Sequence, residues 1–504
     1  MPISRREVLR RGAQAAAVGA ATAWAGGRAA AVTAGRPADG RGDVPGPGAW
    51  RQLAAELTPG AGLYLPGSDG FGALAVPDNR RYADVLPAGI VACASESDVQ
   101  AAVRWATAHG VPFTPRSGGH NYAGYSTTRG LLITLRRMNT VAVQGSRLAL
   151  GGGATNSDVY AARSANLYFP GGRCPGVGVA GLTLGGGLGF NDRKWGLTCD
   201  RLRETRVVLA DGSLVRAAEN ENADLFWALR GGAGSNFGIN TGFVFDATPV
   251  GEQTATVFDL AFDLGSAVTV VDRVQEILDG DRGNDFDVRV GFKNPGDGRD
   301  PAVVLLGQRL GTEDRLRELI APLLELGPSK AFVEQRQFWS AQDYLMEQPG
   351  QPSAGASRSL VPTCPLGPRA VEHIVEWVRG WRPGGAGNPG YVTLFAMGGS
   401  SAEPAPGDTA YPHRAATYVI DIGTHWTPGT EPETVQDLLA QTHAMHRILR
   451  RDLATSAAYV NFPDPDLRDW RHAYYGSNYG RLVEVKRRYD PAGAFRYDQA
   501  IGSH

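Results

Sequence analysis

Cysteine is scarce. Four occur in 504 residues, Cys93, Cys174, Cys199 and Cys364, and none lies in a CxxC or metal-ligand spacing. So low a count argues against a disulfide scaffold and a zinc module; a bond from Cys199 to one of the others stays open, with nothing in the sequence pointing to it. An excess of either charge is missing too. With 50 Lys and Arg against 51 Asp and Glu, and no basic run outside the first residues, nucleic acid and anionic membrane are not expected partners. Long apolar runs are absent as well. The Ala-rich stretch that begins at Ala13 contains Gly19 and is too weak for a membrane-spanning helix, which needs about twenty apolar residues; no stable membrane anchor is expected. Two ligand-loop signatures are also lacking, the GxxxxGK[ST] phosphate loop and the strand–GxGxxG–helix unit with an acidic residue about twenty positions on. Their absence weakens mononucleotide and nicotinamide readings.

Glycine, by contrast, is abundant, with 67 residues, and it gathers between Pro112 and Asp200. The first tract, "PFTPRSGGHNYAGYS", contains His120, and the second, "LYFPGGRCPGVGVAGLTLGGGLGFNDRKWGL", contains Cys174. Each sets one reactive side chain among glycines, which let backbone N–H groups come close to an anionic or planar ligand. Taken singly, His120 reads as an ordinary turn residue and Cys174 as a buried thiol. Together they point to a bound cofactor.

Paired Arg5 and Arg6, the Ala-rich run and the small residues Ala29 and Ala31 read as a twin-arginine signal peptide over residues 1–34; a disordered Ala/Arg-rich tail is the alternative. The expectation is export by the twin-arginine machinery to an extracellular or cell-envelope location. That route carries folded cargo, which suits a protein that takes up its cofactor first.

With 504 residues and 42% hydrophobic content, the chain is long enough to split into domains. Residues 35–86 read as a surface lead-in with one short helix near Trp50 to Leu57. Residues 87–249 read as a cofactor-binding domain. It starts with a short strand at Val91 and Cys93, a helix capped by Ser95 or Ser97, and a strand running into the His120 loop. A helix capped by Asn156 or Ser157, a hairpin turning at Asp211-Gly212 and a second Gly-rich loop, "GGAGSNFGI", follow. Residues 250–455 alternate strands with two longer helices, expected over 313–326 and 433–453, as a substrate domain in which a sheet backed by helices keeps one face free. Residues 456–504 form a C-terminal segment whose last helix stops before Pro491. His443 and His446 lack a carboxylate partner and read as solvated or core residues, so no metal site is expected.

The strings "RSGGHNY", "CPGVGVAG", "GGGLGF" and "KWGL" closely resemble the FAD-linked oxidases of the p-cresol methylhydroxylase/vanillyl-alcohol oxidase type, in their berberine-bridge-enzyme-like branch. The tail from Ala457 to Ile501 resembles the short segment that names that branch. The resemblance implies an α+β protein with a two-subdomain FAD-binding domain and a substrate domain built on an antiparallel sheet backed by helices. It implies one FAD held bicovalently, by His120 at the 8α-methyl carbon and by Cys174 at ring carbon 6. Further cofactor contacts would come from Pro115, Arg116, Ser117, Gly118, Gly119, Tyr122, Gly178, Gly181, Gly187, Gly189, Asn236, Gly238, Ile239 and Asn461. A flavin takes hydride from its small-molecule substrate while the protein supplies a base; family members act on sugars, on alcohol groups of glycosylated or polycyclic natural products, and on alkaloid C–H bonds.

In the resembling family the residue three positions after the flavin-linked Cys borders the flavin, and a small valine there, the position of Val177 here, goes with dioxygen as electron acceptor. The base departs from the pattern. Where many members carry "YxNY" this chain has "YVNF", which puts Phe462 in place of the second Tyr, and Leu188 replaces another family tyrosine. Asp421 falls where other members have Gln or a catalytic Glu, and strand alternation puts it on one face with Val419 and Gly423; a solvent-facing Asp is the other reading. Tyr459, with Asn461 beside it, Tyr474 and Tyr475 are the remaining candidates. The reading is an exported flavoprotein oxidase. A flavin-dependent cyclase or dehydrogenase without oxygen reactivity, and a flavin carrier with a degenerate site, are the alternatives.

Overall fold

The computed structural model describes residues 45–348 and 350–503, so the export-signal reading at 1–34 lies outside it. Strands β1 (Gly62–Tyr64), β2 (Gly89–Ala92), β3 (Phe113–Arg116) and β4 (Leu131–Thr134) form a sheet in the order β1-β2-β4-β3. β2 and β3 both run parallel to β4. A return to a parallel strand needs a crossover, and the helix Glu96–Ala108 supplies it between β2 and β3, which flank β4. Ser95 starts that helix with a capping box, accepting from the Asp98 N–H while the Asp98 carboxylate accepts from the Ser95 N–H.

The lead-in is not the surface segment that its composition suggests. β1 pairs with β2, and Trp50 and Leu53, spaced to one side of the helix Pro47–Glu56, are buried. Trp50 packs on Trp105 with ring centroids 4.5 Å apart. Farther along, the Asn79 side chain accepts from the Gly355 N–H and donates to the carbonyls of Gly355 and Tyr122.

β5 (Val141–Gln144), β6 (Arg147–Gly151), β8 (Leu202–Val208), β9 (Leu214–Ala218) and β10 (Ile239–Asp246) build an antiparallel sheet in the order β5-β6-β10-β8-β9. A two-stranded ladder joins β7 (Leu167–Tyr168) to β11 (Thr248–Pro249). The hairpin turn at Asp211-Gly212 is present, with Gly212 at φ 80°. The helix Asn156–Ala161 is capped one residue earlier than its sequence suggests, by Thr155, whose N–H donates to Asp158.

The remaining strands are β12 (Thr254–Asp263), β13 (Phe286–Asn294), β14 (Ala302–Leu310), β15 (Lys330–Gln337), β16 (Ala354–Leu360), β17 (Gly390–Ala396) and β18 (Tyr418–Trp426). They form a seven-stranded antiparallel sheet ordered β15-β12-β14-β13-β17-β18-β16. Helices Ala267–Gly280, Pro368–Arg379 and Pro432–Asp452 share a core with one face of it, where Val288, Val290, Ile420 and Ile422 meet Val271, Ile374 and Leu449. Two of these three helices were not expected from periodicity. The expected helix over residues 313–326 divides into Glu313–Leu319 and Ala321–Leu324, because Pro322 has no N–H to continue the ladder.

Alternation along β13 and β18 sends the odd-numbered polar side chains Arg289, Lys293, Asp421 and His425 to the opposite face, onto the cavity described below. The C-terminal helix Tyr479–Tyr489 returns to the middle sheet, packing Leu482 and Val485 with Phe226 and Phe237. All four cysteines are free. The architecture is α+β.

Candidate active site

β3 ends in the His120 loop, and the glycines of that loop bring it against the Cys174 tract. A Cβ on Gly118 would stand 2.3 Å from the Gly178 nitrogen, and one on Gly178 would stand 2.4 Å from the Gly118 nitrogen. No other residue permits that approach. The two tracts and the open face of the seven-stranded sheet line one cavity of about 610 Å³, within the roughly 300–1,000 Å³ usual for ligand sites.

Of the sequence-predicted residues, His120, Cys174, Pro115, Arg116, Ser117, Gly118, Gly119, Tyr122, Val177, Gly178, Gly181, Gly238, Ile239, Asp421, Tyr459 and Asn461 all line the cavity. Gly187, Gly189 and Asn236 do not. They support the wall from behind: the Gly187 N–H donates to the Tyr459 hydroxyl, the Gly189 N–H to Asp192, and the Asn236 amide to Gly232 and Tyr497. Arg116 lines the cavity yet gives its donors to the carbonyls of Ser126, Leu74 and Ala75; burial lowers its pKa to about 10. It fixes the loop rather than offering a charge.

Several buried polar atoms on residues that line the cavity have no hydrogen-bond partner among the described residues: Ser117 Oγ, Tyr125 Oη, Asn240 Oδ1, Arg289 Nε and Gln499 Oε1. Buried polar groups are nearly always paired, so these atoms mark where a polar ligand sits. His120 Nδ1 lies 3.0 Å from Asp78 Oδ2, and hydrogen bonding with His120 holds Asp78 below the usual carboxylate range. The loop from 231 to 238 strains to meet the same space. Ala233 and Ser235 take φ values of 66° and 62°, a conformation that costs non-glycine residues about 1–2 kcal/mol each and that clusters at ligand sites. Gly181 has no atom within 4 Å of where a Cβ would stand, so any side chain there would project into the cavity. The set fits a large, planar, polar cofactor.

On the sheet side Asp421 is only 6% exposed. It accepts from the Ser357 hydroxyl on β16 and from the Tyr391 phenol on β17. Burial dominates both bonds and pushes its pKa up to about 7. Burial moves the tyrosines the wrong way for a base. It raises Tyr459, Tyr474 and Tyr475, all buried, above the usual phenol range, and Tyr459 already accepts from Gly187 and Asn461 at 3.0 Å each. Phe462 stacks on Tyr122, with ring centroids 5.6 Å apart and planes 9° apart. Arg289 lies with its guanidinium 4.1 Å from the Phe395 ring centre and 4.7 Å from that of Phe190, close enough for cation–π attraction.

Arg289, Lys293, Glu347, Tyr391 and His425 are cavity residues that sequence reasoning missed. The signal was present on β13 and β17, where Arg289 and Lys293, four positions apart, and Tyr391 and Thr393, two apart, fall on one face of each strand. His443, outside the cavity, contacts Arg358 and Asp466.

A family model described as "FAD binding domain" matches residues 87–218, and one described as "Berberine and berberine like" matches residues 458–502. The FAD-linked oxidoreductase YgaK of Bacillus subtilis is 32% identical over 435 residues, covering 84% of this chain and 92% of its own. The xylooligosaccharide oxidase of Thermothelomyces thermophilus is 31% identical over 470 residues, covering 85% of this chain and 89% of its own. Among solved structures, berberine-bridge-like 1 of Physcomitrella patens superposes with a TM-score of 0.79 at 26% identity, covering 90% of this chain and 99% of that one. Similarity that spans both the glycine tracts and the returning C-terminal segment is family membership, and the chain is an FAD-dependent oxidoreductase of the berberine-bridge-like family.

Proposed function

We propose that this enzyme is an exported oxidase that takes hydride from an alcohol or C–H group of a sugar, glycoside or polycyclic natural product and passes the electrons to dioxygen. The observation that carries the reading is Asp421: a buried carboxylate on the cavity face of β18 whose pKa of about 7 matches that of a general base at neutral pH. FAD, when bound, supplies the hydride acceptor. Asp421 takes the hydroxyl proton of the substrate, while Ser357 and Tyr391 hold its carboxylate in place. The aromatic faces of Tyr122, Tyr391, Phe395 and Phe462 on the cavity wall favour a ring-bearing substrate, and the name of the Thermothelomyces relative supports an oligosaccharide.

His120 and Cys174 would tether the cofactor at two points, which leaves the cleft free to admit large substrates without cofactor loss. Val177, on the cavity wall beside Cys174, leaves room for dioxygen. Export rests on Arg5 and Arg6. The test is anaerobic mixing of the purified flavoprotein with a panel of oligosaccharides and glycosides, followed by admission of air. Bleaching of the flavin and its return with hydrogen peroxide release support an oxidase. Reduction by a substrate without return in air would make the enzyme a dehydrogenase. A passenger protein fused behind residues 1–34 should leave the cytoplasm, and should remain there when Arg5 and Arg6 are both changed to Lys.

A further inference from the structure

Cys174 is not alone at the cavity wall. Its Sγ donates to Glu347 Oε2 at 2.8 Å, and that carboxylate comes from 173 residues farther along the chain, in the segment that follows the helix Phe338–Leu345. Three contacts fix it there. The Glu347 N–H donates to the Arg173 carbonyl at 3.0 Å, Arg173 Nη2 lies 3.5 Å from Glu347 Oε2, and the thiol completes the set. Arg173, Cys174 and Glu347 all line the cofactor cavity. A cysteine that only fills core space needs no such neighbour, and burial together with the nearby carboxylate raises the Cys174 thiol above its usual range. Left to itself this thiol stays protonated, whereas the thiolate is the nucleophile.

We infer that Glu347 is the proton acceptor that lets Cys174 form its bond to the flavin. This rests on the reading of Cys174 as a tether. The thiol proton passes to Glu347 and sulfur bonds to a ring carbon. The hydrogen of that carbon leaves as a proton, and the electron pair passes to the ring and then to dioxygen, which leaves as hydrogen peroxide. The substrate-oxidation base, Asp421, takes no part. Glu347 therefore serves the maturation of the enzyme rather than its turnover.

Glu347→Gln keeps the size of the side chain and its capacity to accept from the thiol but cannot hold the proton. The expected result is a Cys174 linkage slowed by the roughly 10²- to 10⁴-fold typical of general-base loss, with the His120 linkage intact. Mass spectrometry of flavin-bearing peptides from the full-length protein reads the two links separately. Glu347→Ala incubated in air with acetate should regain the Cys174 link, because an external carboxylate can take the same proton. A purely structural role would lower both links or total flavin, and acetate would restore neither. If the wild type carries both links and Glu347→Gln forms the Cys174 link at the same rate, the inference is overturned. If the wild type lacks the Cys174 link, the tether reading itself fails and the role of Glu347 falls with it. Should Glu347→Gln bind no flavin, the acetate experiment on Glu347→Ala decides: restored linkage supports the inference and no restoration overturns it.

Discussion

Tyr391 on β17 and Gly423 on β18 stand directly opposite one another, and a Cβ at position 423 would lie 2.2 Å from the Tyr391 hydroxyl. The missing side chain is what lets the phenol lie across β18 and reach Asp421. Gly423→Ala should push the phenol off the carboxylate and slow flavin reduction by about 10- to 100-fold, as small misplacements at a reacting centre do. Stopped-flow reduction would measure this, with flavin content unchanged as the control.

Asp421→Asn should slow flavin reduction by about 10²- to 10⁴-fold without loss of flavin, and Phe462→Tyr should change the rate little. In the parent enzyme the reduction rate should climb as pH rises through about 7, where the Asp421 carboxyl ionises, and then level off. A variant at Asp421 that reduces at the normal rate would send the search to Tyr459, Tyr474 and Tyr475.

The same group makes a stability prediction. Its pKa rises from 3.8 in the unfolded chain to about 7 in the fold, so between those values the native state holds more protons than the unfolded one. Its contribution is fully present below pH 3.8 and is lost as pH rises through about 7, an upper bound of about 4 kcal/mol at 1.36 kcal/mol per unit. Thermal melts at pH 4 and pH 8 should therefore differ less in Asp421→Asn than in the parent.

Acid precipitation should leave the flavin with the protein. His120→Ala should keep a single link through Cys174, Cys174→Ala a single link through His120, and the double variant none. Release of all flavin from the parent protein would end the bicovalent proposal.

Val177→Leu should slow reoxidation of the reduced enzyme in air by orders of magnitude, because one extra methylene in a close-packed wall closes a space the size of dioxygen. Rapid-mixing absorbance gives the rate; slow reoxidation of the parent would remove dioxygen as the acceptor.

Much of this was legible in the sequence because the informative signals are local. The glycine tracts, the Ser95 box, the hairpin at Gly212 and the alternation on β18 each occupy a few consecutive residues. What escaped was non-local. Nothing near Trp50 announces that Trp105 will pack on it, and a three-residue strand such as β1 has no periodicity to read. Glu347 sits in a segment with no motif, and only the folded chain brings it to Cys174. Arg289 could be read as cavity-facing from the alternation on β13, but its partners Phe190 and Phe395, far from it in sequence, could not.

Asn79 holds the carbonyl of Tyr122, in the His120 loop, and also Gly355 of β16, which lies 276 residues from Asn79, and Asn461 reaches back 279 residues to the carbonyl of Leu182. Contacts so distant form only after the intervening chain has emerged, since loop closure must precede the contacts that repay it. The rim of the cavity is therefore assembled only once residues on both sides of these separations are present, and a chain cut short of residue 461 lacks one of its two ties.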